Sequence, residues 1–350
     1  MSNPSISFVI PTFNFAAFLP ETLDSIVNER YSPIEIIVFD GGSTDDTLAV
    51  LEAYRTKFPA LKVMVATERG NIDTDLNLAV DAAQGDFIWT MSADDTLMPG
   101  WSEIVAELLA GSTPDLLLVP AIHCDIRMQP RRSYPIMRDP ATGVMTRTLV
   151  DDDSVIDYLS NVRTSEGLFS FCSACIVRRE KFRKAPALVA ANGTCWRYSV
   201  RLISVLVDYP STIVVLDRPL IYKRGDNDSF AQAGVIRRLR IATLGWDDAI
   251  GALDLRPGLR SAMLSRVKSD IRPFTLLYMS QFVRDDEERA TYRACVDTRM
   301  KAADGSIPAT ARILKRLPRF LILRKGLEVA KAAVRIVQQR IWSAQLPVVD

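Results

Sequence analysis

Histidine is nearly absent from this chain, with one, His123, in 350 residues, and cysteine is scarce at five. The Cys172-x-x-Cys175 pair therefore has no second pair and no neighbouring histidine to complete a zinc site. It sits in the apolar run "FSFCSACIV" and reads as two small core residues of a protein in a reducing compartment. Net charge almost cancels at +1, so no global signal for a polyanion exists and nucleic acid is not an expected partner. No uncharged apolar run reaches the ~18 residues that cross a bilayer. No basic stretch precedes an apolar one at the N-terminus, as a secretory leader would require. The phosphate-loop spacings G-x-x-x-x-G-K-[ST] and G-x-G-x-x-G are both missing, which weighs against ATPase and dehydrogenase chemistry. A nucleotidyltransferase would want a glycine- and base-rich loop near the N-terminus, and none is there. Internal repeats and low-complexity tracts are also missing.

What is present is an ordinary globular composition, 48% hydrophobic and 24% charged. The length fits roughly one to three domains. Short apolar runs alternate with helical patterns over the first 120 residues. Strands are expected at Ser5–Pro11, Ile34–Asp40, Leu61–Thr67, "FIWTMS" and Asp115–Ile122. Helices are expected at Pro20–Glu29, after Ser43 as an N-cap, over Thr74–Gln84, and in "GWSEIVAELLA". This alternation predicts an α/β protein with a doubly wound, mostly parallel sheet. Strands buried on both faces read as continuous apolar runs, as these do. Further on, Arg127–Asp153 reads as a proline- and charge-rich loop, a candidate lid. Leu168–Arg179 and Ser211–Arg224 read as strands, and Trp196–Val207 as a helix. Gly234–Leu253, Leu259–Val283, Glu287–Ala303 and Ala309–Ala344 read as helices, the last interrupted at Pro318. The expected organisation is a catalytic domain over 1–230, divided at 122/123 into nucleotide and acceptor halves. A helical region over 231–305 and a basic tail over 306–350 follow.

Ligands of such sheets bind beyond the carboxyl ends of the strands. Polar residues collect there: Thr12 and Asn14, Asp40 with Gly41-Gly42-Ser43, Glu68, and Asp94-Asp95. Two adjacent carboxylates at a buried strand end repel each other. A Mg²⁺ or Mn²⁺ ion removes that repulsion and leaves coordination positions for phosphate oxygens. The competing reading is a solvated loop in which Asp95-Thr96 starts the next helix. Asp40 can accept from a ribose or base, or merely close a tight turn. Gly41-Gly42 lets backbone approach a ligand closely.

The ordered segments "SFVIPTFNFAAFLPETLDSI", "IEIIVFDGGSTDDT", "ERGNIDTDLNLAVDAAQGDFIWTMSADD" and "MPGW" resemble the successive motifs of family 2 glycosyltransferases with the GT-A fold. The likeness runs from Ser5 to Ile122. It implies transfer of a sugar from a nucleotide-diphosphate donor with inversion, assisted by Mn²⁺ or Mg²⁺. Carried over, Pro11, Thr12 and Asn14 border the nucleotide, and Asp40 is the first acid of the D-D-G-S or D-G-G-S motif. Glu68, Gly70 and Asp73 belong to the segment closing over base and ribose. Asp94 and Asp95 form the D-x-D-type metal site, with Asp94 also bordering the donor. "NGTCWRYSVRLISVL" followed by "VVLDRPLIYKRGDNDSF" resembles the second half of O-antigen-type transferases, abequosyltransferases among them. There Arg224, Asn227 and Ser229 lie on a segment that returns toward the diphosphate; an arginine suits phosphate geometry and charge.

The chain departs from that pattern in three places. Many members carry a uracil-contacting acid where Gly41 stands, and an acid where Ser92 stands. The reaction also needs a base to deprotonate the acceptor hydroxyl. Members often place it near the Trp196–Val207 helix, but no Asp or Glu occurs between Glu180 and Asp208. Glu166, Asp125 and Asp226 are the candidate bases, with Glu166 favoured; His123 is either a base or a packed histidine. From Ala309 to Trp342 nine basic residues face one acid, Glu328, among interleaved apolar residues. Such a helix favours an anionic lipid surface, at roughly 1 kcal/mol per cation. Alternatively it packs on protein or forms a homo-oligomer contact. The expectation is a cytoplasmic enzyme, peripheral at the inner membrane face, extending a lipid-linked bacterial surface glycan. The alternative is a degenerate member that binds nucleotide or a partner without turnover.

Overall fold

The computed structural model describes residues 3–111, 114–138, 143–227, 234–301 and 308–315. The chain divides into two compact units, Met1–Asn227 with Gly245–Asp270, and Asp228–Leu244 with Ile271–Asp350.

The first unit opens with the expected alternation: β1 (Ile6–Thr12), α1 (Leu19–Val27), β2 (Ile34–Asp40), α2 (Thr47–Lys57), β3 (Leu61–Val65), α3 (Ile72–Asp81) and β4 (Phe87–Thr90). Then come β5 (Thr96–Leu97), α4 (Trp101–Gly111), β6 (Leu116–Leu118), β7 (Ala121–Cys124), β8 (Pro130–Ser133), β9 (Val144–Leu149) and α5 (Asp152–Asn161). After two 3₁₀ turns follow β10 (Cys175–Arg178), α6 (Arg179–Phe182), α7 (Arg197–Asp208), β11 (Ser211–Leu216) and β12 (Ile221–Lys223). The main sheet has the order β3-β2-β1-β4-β10-β6-β11-β9. Its first four strands are parallel; β10 runs against both neighbours and β9 against β11. A smaller sheet, β5-β12-β7-β8, stands beside it.

Both faces of the main sheet are covered, and strand alternation sorts side chains between them. Phe8, Ile10, Ile36 and Val38 join one core; Val9, Ile37 and Phe39 join the other. In the first core Phe8 stacks on Trp89 with centroids 5.1 Å apart, and Trp101 meets both edge-on at 5.4 Å. The order reverses between β1 and β4, which opens a crevice at their carboxyl ends.

Several expected elements differ. Ser43 is no N-cap: α2 begins at Thr47, and Ser43 is drawn back onto Asp40. The Asp115–Ile122 and Ser211–Arg224 runs each split in two, at Pro120 and Pro219, where a missing N–H ends one ladder and the chain passes to the second sheet. Of Leu168–Arg179 only Cys175–Arg178 is strand. The expected loop Arg127–Asp153 contains β8 and β9. The helix expected over Leu259–Val283 is two, α10 (Pro257–Ser269) and α11 (Pro273–Met279), because Pro273 starts a new helix. Gly234–Leu253 is likewise interrupted: α8 (Val235–Arg240) and α9 (Trp246–Gly251) flank a π-helical turn. α9 and α10 belong to the first unit, where Trp246, Ile250, Leu259 and Met263 join the second core. All five cysteines are free; Cys175 lies in the second core, and Cys172 is partly buried against it.

The second unit contains α8, α11, α12 (Asp286–Met300) and α13 (Ala309–Leu314). They surround their own core of Ile236, Leu239, Leu276, Tyr292, Cys295 and Val296. The basic tail from residue 316 onward lies outside the described residues.

Candidate active site

The turn after β4 carries Asp94 and Asp95, both buried. Their environments differ. Asp95 Oδ2 accepts from the Ser173 hydroxyl at 2.7 Å, and Oδ1 from the Arg224 backbone N–H at 3.0 Å. Burial, then the charge of Asp94, pushes the Asp95 carboxyl up to about 7. Asp94 is held by neutral side-chain donors: the Ser92 hydroxyl on Oδ1 at 2.5 Å and the Asn227 amide on Oδ2 at 3.0 Å. Arg224 reaches this place but spends its donors within the protein. Its Nε donates to the Asp94 carbonyl at 3.0 Å, Nη1 to the Ile126 carbonyl at 2.7 Å, and Nη2 to Glu21 at 2.5 Å. It fastens the returning strand β12 under the β4 turn. Ser229 lies outside the described residues.

On the nucleotide side, Pro11 and Thr12 end β1 in register with Phe39 and Asp40. The buried Thr12 hydroxyl has no hydrogen-bond partner among the described residues. Asp40 is fully buried, and its carboxylate closes the turn by accepting from Gly42 N–H, Ser43 N–H and the Ser43 hydroxyl. Asn14, at φ 59°, stitches the β1 and β2 loops: its backbone N–H donates to Ser43 Oγ and its Oδ1 accepts from Thr44 N–H. Glu68 and Gly70 are exposed on the β3–α3 connection. Asp73 points away from that connection. Its two oxygens accept the backbone N–H groups of Cys195, at 2.8 Å, and Arg197, at 3.0 Å, so it closes the N-terminal end of α7.

Two residues here were not singled out from the sequence. Asp75, buried on α3, accepts no hydrogen bond and makes no ion pair among the described residues. Burial raises its carboxyl; Arg69 lowers it and Asp40 raises it further, and the net shift is upward. Arg69 stacks its guanidinium over Phe13, 3.5 Å from the ring centroid, and donates to the Gly41 carbonyl at 3.4 Å. The available signal was an acid at an otherwise buried helix position, one turn before the buried Ala79.

On the acceptor side the candidate bases separate. Glu166, on a 3₁₀ turn (Ser165–Leu168), lies 3.7 Å from His123 Nε2 and 3.8 Å from Lys223 Nζ. Burial raises its carboxyl, but the neighbouring His123 and the Lys223 and Arg132 charges outweigh that and hold it below its ordinary value. Lys223, from β12, also sits 3.9 Å above the Phe171 ring and acts on Asp95, so it links Glu166 to the β4 turn. Asp125 and Asp226 instead share Arg131, at 3.8 Å and 2.8 Å. Asp125 also caps its own turn through Arg127 and Gln129 N–H, and Asp226 is exposed. Both are engaged in loop ion pairs, whereas Glu166 is enclosed. His123 is packed edge-on against Tyr134, 5.2 Å between centroids.

A mostly parallel sheet with acids gathered at the switch point between β1 and β4, closed by a returning strand, defines a GT-A transferase. The chain belongs to glycosyl transferase family 2, whose model matches residues 7–184. Abequosyltransferase RfbV of Salmonella typhimurium is 29% identical over 299 residues, covering 81% of this chain and 86% of that protein. A PGL/p-HBAD biosynthesis glycosyltransferase of Mycobacterium tuberculosis is 38% identical over 98 residues, 28% of this chain and 38% of the relative. Among solved structures, S. aureus TarS 1–349 in complex with UDP-GlcNAc matches with a TM-score of 0.60 at 17% identity, over 99% of this chain and 95% of that one. The mannosyltransferase PcManGT from Pyrobaculum calidifontis, in complex with GDP-Man and Mn²⁺, matches with a TM-score of 0.50 at 16% identity, over 99% and 88%. At these identities the structural likeness establishes the shared fold.

Proposed function

We propose that this glycosyltransferase moves a sugar from a nucleotide-diphosphate donor, with inversion, onto a hydroxyl of a lipid-linked glycan in bacterial surface-polysaccharide synthesis. The observation that carries the reading is the joining of Asp94-Asp95 to the enclosed Glu166 through β12, by Lys223 and Arg224. Glu166 takes the proton of the acceptor hydroxyl. The acceptor oxygen then forms its bond to the anomeric carbon on the face opposite the diphosphate, which leaves with the bonding pair. Lys223 keeps Glu166 ionised and adds positive charge beside the departing phosphates.

The oxygen-only donor set suits Mg²⁺ or Mn²⁺, which take one or two carboxylates and complete their shells with water and substrate phosphates. Among the described residues no three His, Cys, Asp or Glu side chains gather as a full cage. Asp94, whose neutral partners Ser92 and Asn227 can rotate away, would be the direct ligand; Asp95, fixed by Ser173 and Arg224, would supply charge behind it. When bound, the cation offsets charge on the diphosphate. The basic tail supports placement at an anionic cytoplasmic membrane face, since nine cations there meet one acid.

The test is release of nucleoside diphosphate from a panel of nucleotide sugars, with and without manganese and membrane-extracted acceptors. Glu166→Gln is expected to bind donor and lose turnover by roughly 10²–10⁴-fold. A folded protein that binds nucleotide but turns over no donor would move the reading to a binding protein. Full activity of Glu166→Gln would remove Glu166 from its role.

A further inference from the structure

The second sheet carries a line of basic side chains that the proposed chemistry does not use up. Its register sets Lys223 of β12 opposite His123 of β7, and His123 opposite Arg132 of β8. Residues directly opposite share a face, so the three side chains stand in one row across three strands. Glu166 is the carboxylate beside that row, 3.8 Å from Lys223 Nζ and 3.7 Å from His123 Nε2. It offsets one cation, and Arg132 acts on it only from beyond ion-pair distance. Neither the Arg132 nor the Arg163 guanidinium makes a hydrogen bond or a close ion pair among the described residues. Both lie by Tyr134 instead, 5.3 Å and 6.0 Å from the ring centroid, and His123 meets the same ring at 5.2 Å. Arg131, by contrast, is spent on Asp125 and Asp226. An exposed arginine on an edge strand such as β8 can serve merely to deter pairing. Arg163 is not on that edge: it follows α5, and its backbone N–H donates to the Ile136 carbonyl. Two arginines from separate segments thus converge on one tyrosine beside the candidate base, with their charge unbalanced.

We propose that Arg132 and Arg163 hold an oxyanion of the acceptor and so place its attacking hydroxyl at Glu166. The anion is a sugar carboxylate, a sugar phosphate or the phosphate that joins glycan to lipid carrier, and all three offer the same oxygens to a guanidinium. Arginine matches such a group with paired N–H donors, and the anion offsets the surplus charge of the row. The acceptor is then recognised by its charge and not by neutral hydroxyls alone. This rests on the glycosyl-transfer reading given above, with Glu166 as its base.

Ligand-observed NMR titrations of the full chain measure the affinities of methyl β-glucuronide, mannose 6-phosphate and farnesyl diphosphate. Methyl β-glucoside and farnesol are the neutral counterparts. At least one anionic probe is expected to bind roughly tenfold tighter than its counterpart, and the probe that does so names the source of the oxyanion. Arg132→Gln and Arg163→Gln are each expected to weaken that probe by about tenfold. Both arginines are exposed, so the variants do not threaten folding, and thermal unfolding checks this. Arg55→Gln, at an exposed arginine of α2, is expected to leave the affinity in place. The same proteins are titrated with UDP, CDP, GDP and ADP in the presence of manganese. No preference for any anionic probe overturns the assignment and leaves the function standing. An equal loss in Arg55→Gln overturns it as well, since that is general surface charge. So does a loss of nucleotide affinity in Arg163→Gln as large as that of the probe, which would make the anion the donor's own diphosphate. A wild type that binds no nucleotide and turns over no nucleotide sugar overturns both this inference and the function beneath it.

Discussion

Arg224 and Asp95 face each other through the main chain: the Arg224 N–H donates to Asp95 Oδ1 at 3.0 Å, while Arg224 Nε returns to the Asp94 carbonyl at 3.0 Å. This clasp ties the second sheet to the end of the first at the point where the proposed chemistry occurs. Arg224 is 8% exposed, and its guanidinium also lies over Phe18 at 4.8 Å.

Arg224→Lys keeps the charge but cannot span three acceptors at once. It leaves the Asp94 and Ile126 carbonyls short of a donor, and about 2–3 kcal/mol of stability is expected to go. The Glu21 contact adds little, because Glu21 is largely exposed. Urea unfolding should show a lower midpoint with the slope unchanged. Donor affinity should fall with it, since the β4 turn loses its brace.

Asp73, on α3, holds the start of α7 and is expected to act on stability. Asp73→Ala leaves the Cys195 and Arg197 N–H groups unsatisfied at the start of a buried helix. The expected cost is about 2 kcal/mol of stability, with little change in nucleotide affinity for the protein that remains folded. Denaturant midpoints and nucleotide calorimetry on the same samples check the two halves of this prediction.

The parallel half of the sheet was legible because strands covered on both faces must be apolar throughout, as Phe8 to Ile10 and Ile36 to Phe39 are. β9 was not legible. It is an edge strand with only Met145 and Leu149 of its six residues buried, so its residues read as loop. Pro120 and Pro219 marked changes of sheet that a count of apolar residues cannot register. Within the site, the positions of the acids were legible but not the directions of their side chains. Asp40 and Asp73 carry the expected residue type and turn it inward, because backbone N–H groups there need acceptors. Asp75 was hidden among helical residues, since only the packing of α3 shows that the residue is buried.

Glu35 predicts the acid side of stability. It accepts from Lys62, the Ser7 hydroxyl and the Gln84 N–H. Burial opposes its charge, but these partners win and its carboxyl is lowered. A lowered carboxyl adds stability above its unfolded value, and that increment disappears as pH falls through the folded value. Glu35→Gln is therefore expected to cost about 1–2 kcal/mol at pH 7, discounted for the half-exposed Lys62. The gap between mutant and wild type should close as pH drops below about 4. Thermal midpoints taken across pH 3–7 (roughly the titration range of carboxylates) check the convergence, and a constant gap would contradict it.

Glu166 makes the corresponding prediction for turnover. A general base works ionised, so kcat/KM falls on the acid side as the carboxylate takes a proton. The neighbouring His123 and the Lys223 and Arg132 charges hold Glu166 below its ordinary value despite burial, so the acid limb should lie below the usual glutamate range. Removing one of those charges by Lys223→Gln leaves the carboxylate in place while taking away a group that favours its ionised form. The limb should then move to higher pH, with the plateau above it lowered by the loss of charge beside the diphosphate. Initial rates from about pH 3 to 8 for both proteins, a span that reaches below the ordinary glutamate value of roughly 4.3, supply the comparison. An acid limb that stays where it was in Lys223→Gln would mean that the proton is taken by a group Lys223 does not face.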